Sequence, residues 1–218
     1  DQGKYVQNPD KVSLVDGVNN SGILNYINSF GLGSERYKSY DPVAELYYEG
    51  LKYIMNLQPT KEYYDGLSNS QKGDFPVITT WNDPVLNECQ ANYMVAVGDQ
   101  FAWEDDSLPG SLIAGSTGSP AAPTGAANFN IDDLTDKVGT LENYYPGTLG
   151  SKTRGRNNNG WFLAGLAHYA ATNDLRPQIT GQPDTFPGDQ TVKTFIVDTQ
   201  EYHGNPPQEQ DNPLWMAA

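Results

Sequence analysis

Residues 92–99, NYMVAVGD, constrain the fold more than any other stretch of this sequence. Met94 to Val97 form a short continuous apolar run, which is typical of a central β-strand covered on both faces. Gly98 and Asp99 end the run, so the strand brings an acid to its carboxyl end. Ligands of open α/β sheets bind beyond the carboxyl ends of the strands. Asp99 is therefore a candidate functional residue, the alternative being a cap of the following loop or helix.

A second stretch repeats the pattern of a strand that ends in an acid. Residues 191–199, TVKTFIVDT, alternate between polar and apolar side chains, then become apolar and reach Asp198. This pattern predicts a second β-strand. Helical stretches separate and precede the two strands, and such alternation predicts an α/β fold.

Three stretches predict the main helices. The pair Asp41 and Pro42 is typical of an N-cap followed by proline in the first helical position, and the apolar stripe after it extends to about Leu57. Residues 131–141 have apolar side chains at helical spacing. Residues 161–171, WFLAGLAHYAA, are apolar almost all round and predict a buried helix. Its small residues would let it lie close against a sheet: Ala164, Gly165 and Ala167.

Three weaker signals predict short elements. Asn82, Asp83 and Pro84 resemble a helix start and predict a short helix that extends through Cys89. Residues 75–80, FPVITT, are compatible with an edge strand, since a proline near the start excludes a central position. The final residues, NPLWMAA, predict the first turn of a helix.

Charge and cysteine content exclude several classes of partner. The 218 residues include 13 basic and 27 acidic side chains, which gives a net charge of −14. This charge repels phosphate backbones, so we expect no nucleic-acid partner. No apolar run approaches the roughly 18 residues that a membrane-spanning helix needs. The single cysteine, Cys89, is a buried thiol, an intermolecular partner, or half of a disulfide whose mate lies outside the chain.

Two glycine-rich stretches, residues 110–130 and 144–160, predict loop insertions in the α/β core. The second contains the basic cluster of Lys152, Arg154 and Arg156, which is too small for nucleic-acid binding and predicts a solvated loop. A separate acidic loop, residues 104–106, offers oxygen ligands to a hard cation such as Mg²⁺ or Ca²⁺, but it lacks the spacing of an EF-hand.

Catalytic sequence motifs are absent. The sequence contains no nucleophile elbow, no Walker sequence, no dinucleotide fingerprint and no zinc-protease motif. Asp99 and Glu104 are a carboxylate pair that could hydrolyse glycosides, and the many aromatic residues would suit sugars. A secreted acidic carbohydrate-active or carbohydrate-binding protein is therefore the alternative to a non-enzymatic reading.

Seven stretches, taken in order, resemble the second half of the von Willebrand factor A domain of the PilC/PilY family of type IV pilus tip adhesins and biogenesis factors. They are SGILNYINSFG, YKSYDPVAELYYEGLKYI, FPVITTWNDPVLNECQANYMVAVGD, LPG, WFLAGLAHYAATNDLRP, QTVKTFIVDTQEY and NPLWMAA. The resemblance implies a partial von Willebrand A-like (Rossmann-like) α/β domain with long loop insertions. Residues 1–218 would be a portion of one such domain.

The resemblance also implies a function and partners. It implies a non-enzymatic protein of the cell surface and pilus tip, exported through the periplasm and outer membrane, that mediates attachment to surfaces or host cells and pilus assembly. Its partners would be minor pilins, a host or abiotic surface receptor, and the remaining parts of the same protein. Those parts are a half-domain with a D-x-S-x-S loop and a C-terminal β-propeller.

A metal site is implied by the same resemblance. Such A-type domains bind a divalent cation through the D-x-S-x-S loop, a Thr before a later helix and an Asp at the end of the central strand. Asp99 matches the strand-end Asp, and Asp41 lies where the Thr is expected. The resemblance therefore implies a Mg²⁺ or Ca²⁺ site with Asp99 and Asp41 as metal ligands, incomplete in this chain because the D-x-S-x-S loop is missing.

Overall fold

The computed structural model describes residues 42–68, 71, 77–98, 100, 102–103, 105–113, 120–122, 129–154, 159–199 and 211–218. The chain divides into two compact units, one of residues 1–39 and 60–80 and one of residues 40–59 and 81–218. In the first unit, the described residues form a 3₁₀ turn at Lys61–Tyr63. Residues 77–80 contain no strand, so the predicted edge strand is not found there; its first two residues lie outside the described chain.

The second unit alternates helices and strands, as the sequence predicts. In chain order, its described elements are α1 (Val43–Ile54), β1 (Asn92–Gly98), α2 (Ile131–Leu141), α3 (Phe162–Thr172), β2 (Val192–Asp198) and α4 (Pro213–Ala217). A 3₁₀ turn at Leu149–Ser151 packs against α2. The α/β class and both predicted strands are therefore confirmed.

The two strands pair in parallel. Their register runs from Asn92 opposite Val192 to Gly98 opposite Asp198, and the amide of Thr199 extends the ladder by donating to the carbonyl of Gly98 over 2.9 Å. Parallel pairing requires a crossover, and α2 and α3 lie within it. Because the strands are parallel and in register, Gly98 and Asp198 lie at the same edge of the sheet.

One face of this pair is covered and the other is open. On the open face, Val95 is 66% exposed, and its neighbours there are also exposed and mainly apolar: Tyr93, Val97, Phe195 and Val197. The expectation that β1 is covered on both faces is thus wrong for the described chain. A continuous apolar run is equally compatible with a strand of which the described residues pack only one face.

Helix α1 differs from its prediction at both ends. Pro42 occupies the N-cap position rather than the first helical position. Its side chain forms no capping hydrogen bond. The helix ends at Ile54 instead of Leu57, because Asn56 adopts a left-handed conformation with φ of 57°. The amide of Leu57 then donates to the carbonyl of Lys52, which closes the last turn.

Helix α3 is buried almost all round, as its composition predicts. It contacts strand β2, and at Gly165 it also lies close against helix α2. A Cβ atom on Gly165 would lie 2.5 Å from Oγ1 of Thr135 and 2.9 Å from its amide nitrogen. The absence of a side chain at Gly165 therefore sets the distance between the two helices.

The short helix predicted after Pro84 is wrong. Residues 81–91 contain no helix; instead, Oδ1 of Asp83 accepts from the amide of Val85 over 2.9 Å, an Asx turn. The same Asp and Pro residues that start helices also favour such turns. Cys89 is exposed in this segment, so it is not a buried thiol.

Candidate functional site

The carboxyl edge of the sheet is the place where strands, helix ends and acids meet. Gly98 and Asp198 are opposite each other at the ends of β1 and β2. A Cβ atom on Gly98 would lie 3.6 Å from Cγ2 of Val43, the first residue of α1. The end of β1 and the start of α1 are therefore in contact, and ligands of α/β folds bind at such an edge.

A carboxylate from the loop after β1 caps helix α1. Both carboxylate oxygens of Asp105 accept from the amide of Ala44 at 2.9 Å, and Oδ1 also accepts from the amide of Glu45 at 3.0 Å. Asp105 is only 4% exposed. The negative charge at the helix N-terminus is favourable because the helix dipole and free amides point towards it.

Glu45, in the first turn of α1, accepts a hydrogen bond from the same loop. Its Oε1 accepts from the amide of Ser107 over 2.8 Å, so helix and loop exchange carboxylate-to-amide hydrogen bonds. Burial raises the pKa of Glu45, and the charge of Asp106 raises it further, while the amide of Ser107 acts in the opposite direction. The geometry is that of a capping box whose two halves are distant in sequence.

The acidic loop therefore has a structural role that the sequence-based interpretation missed. Asp105 directs its oxygens to helix amides, and Oδ1 of Asp106 accepts from the hydroxyl of Ser107 at 3.1 Å. Glu104 lies outside the described residues. In the described part of this loop, the arrangement is a helix cap, not a set of carboxylates converging on a cation.

A buried arginine also binds the loop after β1. Arg154 donates from Nη1 to the carbonyl of Gln100 and from Nη2 to Oε1 of the same residue, both over 2.6 Å. Its Nε lies 3.6 Å from Oδ1 of Asp211, just before α4. Arg154 is 7% exposed, so the prediction that it lies in a solvated loop is wrong. The guanidinium holds three distant segments together.

Asp198 supports the start of helix α4. Its Oδ2 accepts from Nδ2 of Asn212 over 3.0 Å, and Oδ1 of Asn212 accepts from the amides of Leu214 at 2.9 Å and Trp215 at 3.3 Å. Asn212 is thus the N-cap of α4. The Asn-Pro pair at positions 212 and 213 is the sequence signal that could have identified this cap.

The proposed metal ligands, Asp99 and Asp41, lie outside the described residues, so their site stays a prediction. Their sequence neighbours Gly98 and Pro42 are described, and they border the contact between β1 and α1. Within the described ranges, no group of three or more His, Cys, Asp or Glu side chains is close enough to hold a metal ion.

Comparisons with known proteins agree on one family. A sequence model for "PilY1 homolog, second domain" matches residues 6–170. The type IV pilus biogenesis factor PilY1 homolog of Xylella fastidiosa is 31% identical to this chain over 220 aligned residues. That alignment covers 92% of the chain and 17% of the relative, so the chain spans about one sixth of the curated relative's length. No solved structure matches the chain.

None of the helices in the described ranges combines the length and apolar character that crossing a membrane requires.

Proposed function

Because the chain belongs to the PilY1 homolog family of type IV pilus biogenesis factors, we propose that it is a non-enzymatic part of a pilus-tip protein that mediates attachment to a surface or host cell and supports pilus assembly. The family match over most of the chain is the observation that carries this proposal. The curated relative is named as a biogenesis factor, which is consistent with a structural rather than a catalytic role.

The finer fold proposal is that residues 1–218 are a portion of one von Willebrand A-like domain. The parallel pair with helices in its crossover supports it. The open face around Val95 supports it as well, because parallel sheets usually have both faces covered. We propose that the D-x-S-x-S half of the same protein completes this sheet and that a β-propeller belongs to the same polypeptide.

Asp99 and Asp41 are the proposed protein ligands of a Mg²⁺ or Ca²⁺ ion at the carboxyl edge. The contact between the end of β1 and the start of α1 supports this placement, since it brings the residues that flank both acids together. Hard cations need several oxygen ligands, so the remaining ligands would come from the D-x-S-x-S loop. The cation would thus link this chain to the rest of the domain.

The proposed partners are minor pilins at the pilus tip and a host or abiotic surface receptor, and the proposed location is the cell surface.

The experiment tests the variant Asp99→Ala in the full-length protein of a piliated bacterium. The amount of sheared pili and the number of adherent cells are measured. The matched control is Asp189→Ala, an exposed acid with no partner among the described residues. We expect Asp99→Ala to lower cation-dependent attachment and the control to leave it unchanged.

The readouts separate the parts of the proposal. Loss of attachment with normal piliation would favour an adhesin, and loss of both would favour a role in assembly. Normal piliation and normal attachment in Asp99→Ala would contradict the metal site. Deletion of the whole protein without any effect on pili or attachment would contradict the proposed function itself.

A further inference from the structure

A cleft with a volume of about 450 Å³ lies in the second unit, away from the residues that form the carboxyl edge. Its lining includes the residues that follow α1, Met55 to Leu57. It also includes residues of the loop 177–186 after helix α3. The cleft is within the size range of small-molecule sites in proteins, which is about 300 to 1,000 Å³.

The base of the cleft carries a neutralised ion pair. Arg176 donates from Nη1 to Oδ2 of Asp83 over 3.0 Å and from Nη2 to Oδ1, and its Nε donates to the carbonyl of Ile54. The guanidinium also lies over the ring of Phe186, 5.3 Å from its centroid. Arg176 is 8% exposed. Among the described residues that line the cleft, Arg176 is the only basic one, and its guanidinium is already paired with Asp83.

The walls combine apolar surface with unused hydrogen-bonding groups. Apolar surface comes from Met55, Leu57 and the strongly exposed Ile179. The polar side chains of Asn56 and Gln182 line the cleft and have no hydrogen-bond partner in the described part of the chain.

Three further polar groups line the same cleft. Thr185 has no partner for its hydroxyl among the described residues, and Gln178 donates only to the carbonyl of Gln182 over 3.3 Å. Asp184 accepts from the amide of Phe186 with Oδ1 alone, which leaves Oδ2 for a ligand. The cleft therefore offers amide donors, amide acceptors, a hydroxyl and a carboxylate oxygen beside aliphatic carbon.

We propose that this cleft binds a neutral saccharide. Anions are disfavoured because the lining holds two carboxylates and one already paired guanidinium. Sugar hydroxyls both donate and accept, so they match amides and a carboxylate together, while the C–H faces of a sugar ring match the aliphatic wall. If the chain mediates attachment as proposed, the receptor that it binds through this cleft would be a glycan. Saccharide binding itself does not depend on the proposed function; only its biological role does.

The experiment is calorimetric titration of the full-length protein with lactose, maltose and cellobiose. We expect at least one disaccharide to bind with a Kd on the order of 1 mM. The test variant is Asn56→Gly with Gln182→Ala, because glycine keeps the positive φ at position 56 while the amide is removed. Loss of hydrogen bonds at two positions should weaken binding at least ~10-fold.

The matched control is Asn143→Gly. Asn143 also has a positive φ, 53°, and it does not line the cleft. A second readout is mass-spectrometric detection of methionine oxidation, in which the bound disaccharide should protect Met55 but not Met216, at the far end of the sequence.

The outcomes are distinct from those of the metal-site proposal. Two results together would support a glycan cleft independently of the metal site. Saccharide binding should persist in Asp99→Ala and in the presence of EDTA, and it should be weakened in the double variant. No binding of any of the three disaccharides overturns the proposal. Equal binding by the wild type and the double variant, or Met55 oxidation that the sugar does not slow, also overturns it.

Discussion

Asp105 caps helix α1 across 61 positions of sequence, with both carboxylate oxygens 2.9 Å from the amide nitrogen of Ala44. This contact fixes the loop after β1 to the start of α1. Glu45 strengthens it by accepting from the amide of Ser107. The carboxyl edge of the sheet, where the functional acids are proposed, is therefore held by hydrogen bonds between two segments rather than within one.

Asp105→Ala should loosen the start of α1. Removal of a helix cap costs about 0.5 to 2 kcal/mol, and this cap is buried and bonds to two amides, so we expect a value near the upper end. Local opening should become roughly 5- to 30-fold more frequent. The measurement is hydrogen–deuterium exchange of the peptide that contains Ala44 and Glu45.

The control for this cap is Asp189→Ala, which removes an exposed acid elsewhere. Its exchange in α1 should equal that of the wild type. Asp105→Asn should lie between the two, because an amide oxygen still accepts while the charge that favours the helix dipole is lost. Unchanged exchange in Asp105→Ala would contradict the capping role.

Arg176→Lys should be destabilising although the charge is retained. A lysine cannot reproduce the two parallel bonds to Asp83 together with the bond to the carbonyl of Ile54. Because Asp83 is partly exposed, we expect a loss of about 2 kcal/mol rather than the larger values of fully buried pairs. Thermal unfolding of the chain measures it.

The exposed pair Lys61 and Asp65 is the matched control for Arg176. Its nitrogen and oxygen are 3.0 Å apart, but both side chains are mostly in solvent. Lys61→Met should therefore leave the free energy of unfolding close to that of the wild type, because solvent screens an exposed pair. Equal losses of unfolding free energy in Arg176→Lys and Lys61→Met would contradict the prediction that the Arg176 contacts stabilise the fold more than an exposed ion pair does.

Asp132 should make stability depend on pH. Burial raises its pKa from 3.8 to about 6, and the charges of Asp136 and Asp133 act in the same direction, while the amide of Leu112 lowers it. The folded state therefore holds the proton more tightly than the unfolded state. This contribution to stability is fully present below pH 3.8 and is lost as the pH rises through about 6.

The variant Asp132→Asn tests this pH dependence. It should flatten the fall in unfolding temperature of the chain between about pH 4 and pH 6, since an asparagine has no proton to lose. Asp189→Asn, an exposed change away from Asp132 in the sequence, should keep the slope of the wild type. Burial also raises the pKa of Glu45, so Glu45 likewise makes stability fall as the pH rises. The test therefore compares the slope of each variant with that of the wild type. A slope that Asp132→Asn does not alter would contradict the prediction.

Gly165→Ala should separate helices α2 and α3. In an exposed helix this change would be stabilising by about 0.5 to 1 kcal/mol, but here the new methyl group would meet Thr135 at 2.5 Å. Overpacking typically costs about 1 to 3 kcal/mol. Urea denaturation of the chain should show a lower midpoint, and an equal or higher midpoint would mean that the two helices are not closely packed.

The regular elements could be predicted because their signals are local. The spacing of apolar residues identified β1, α2, α3 and β2, and the Asn-Pro pair marked the start of α4. These signals are read within a window of a few residues. They indicate which segments are helices and strands, and the alternation of the two indicated the α/β class.

The contacts at the carboxyl edge could not be predicted, because their partners are distant in sequence. Nothing near Asp105 indicates that it caps Ala44, and nothing near Arg154 indicates that Gln100 will bind its guanidinium. The error at Asp83 has a different cause, since the same residue types favour an Asx turn and a helix start.

The most direct test of the central claim is cation binding by the intact protein. We propose that Asp99 lies at the carboxyl edge of the sheet and binds Mg²⁺ or Ca²⁺. Calorimetric titration of the wild type and of Asp99→Ala with each ion should show that the variant loses one binding event, while Asp189→Ala retains it. Identical titrations for all three proteins would contradict the claim, and the carboxyl edge would then be a purely structural junction.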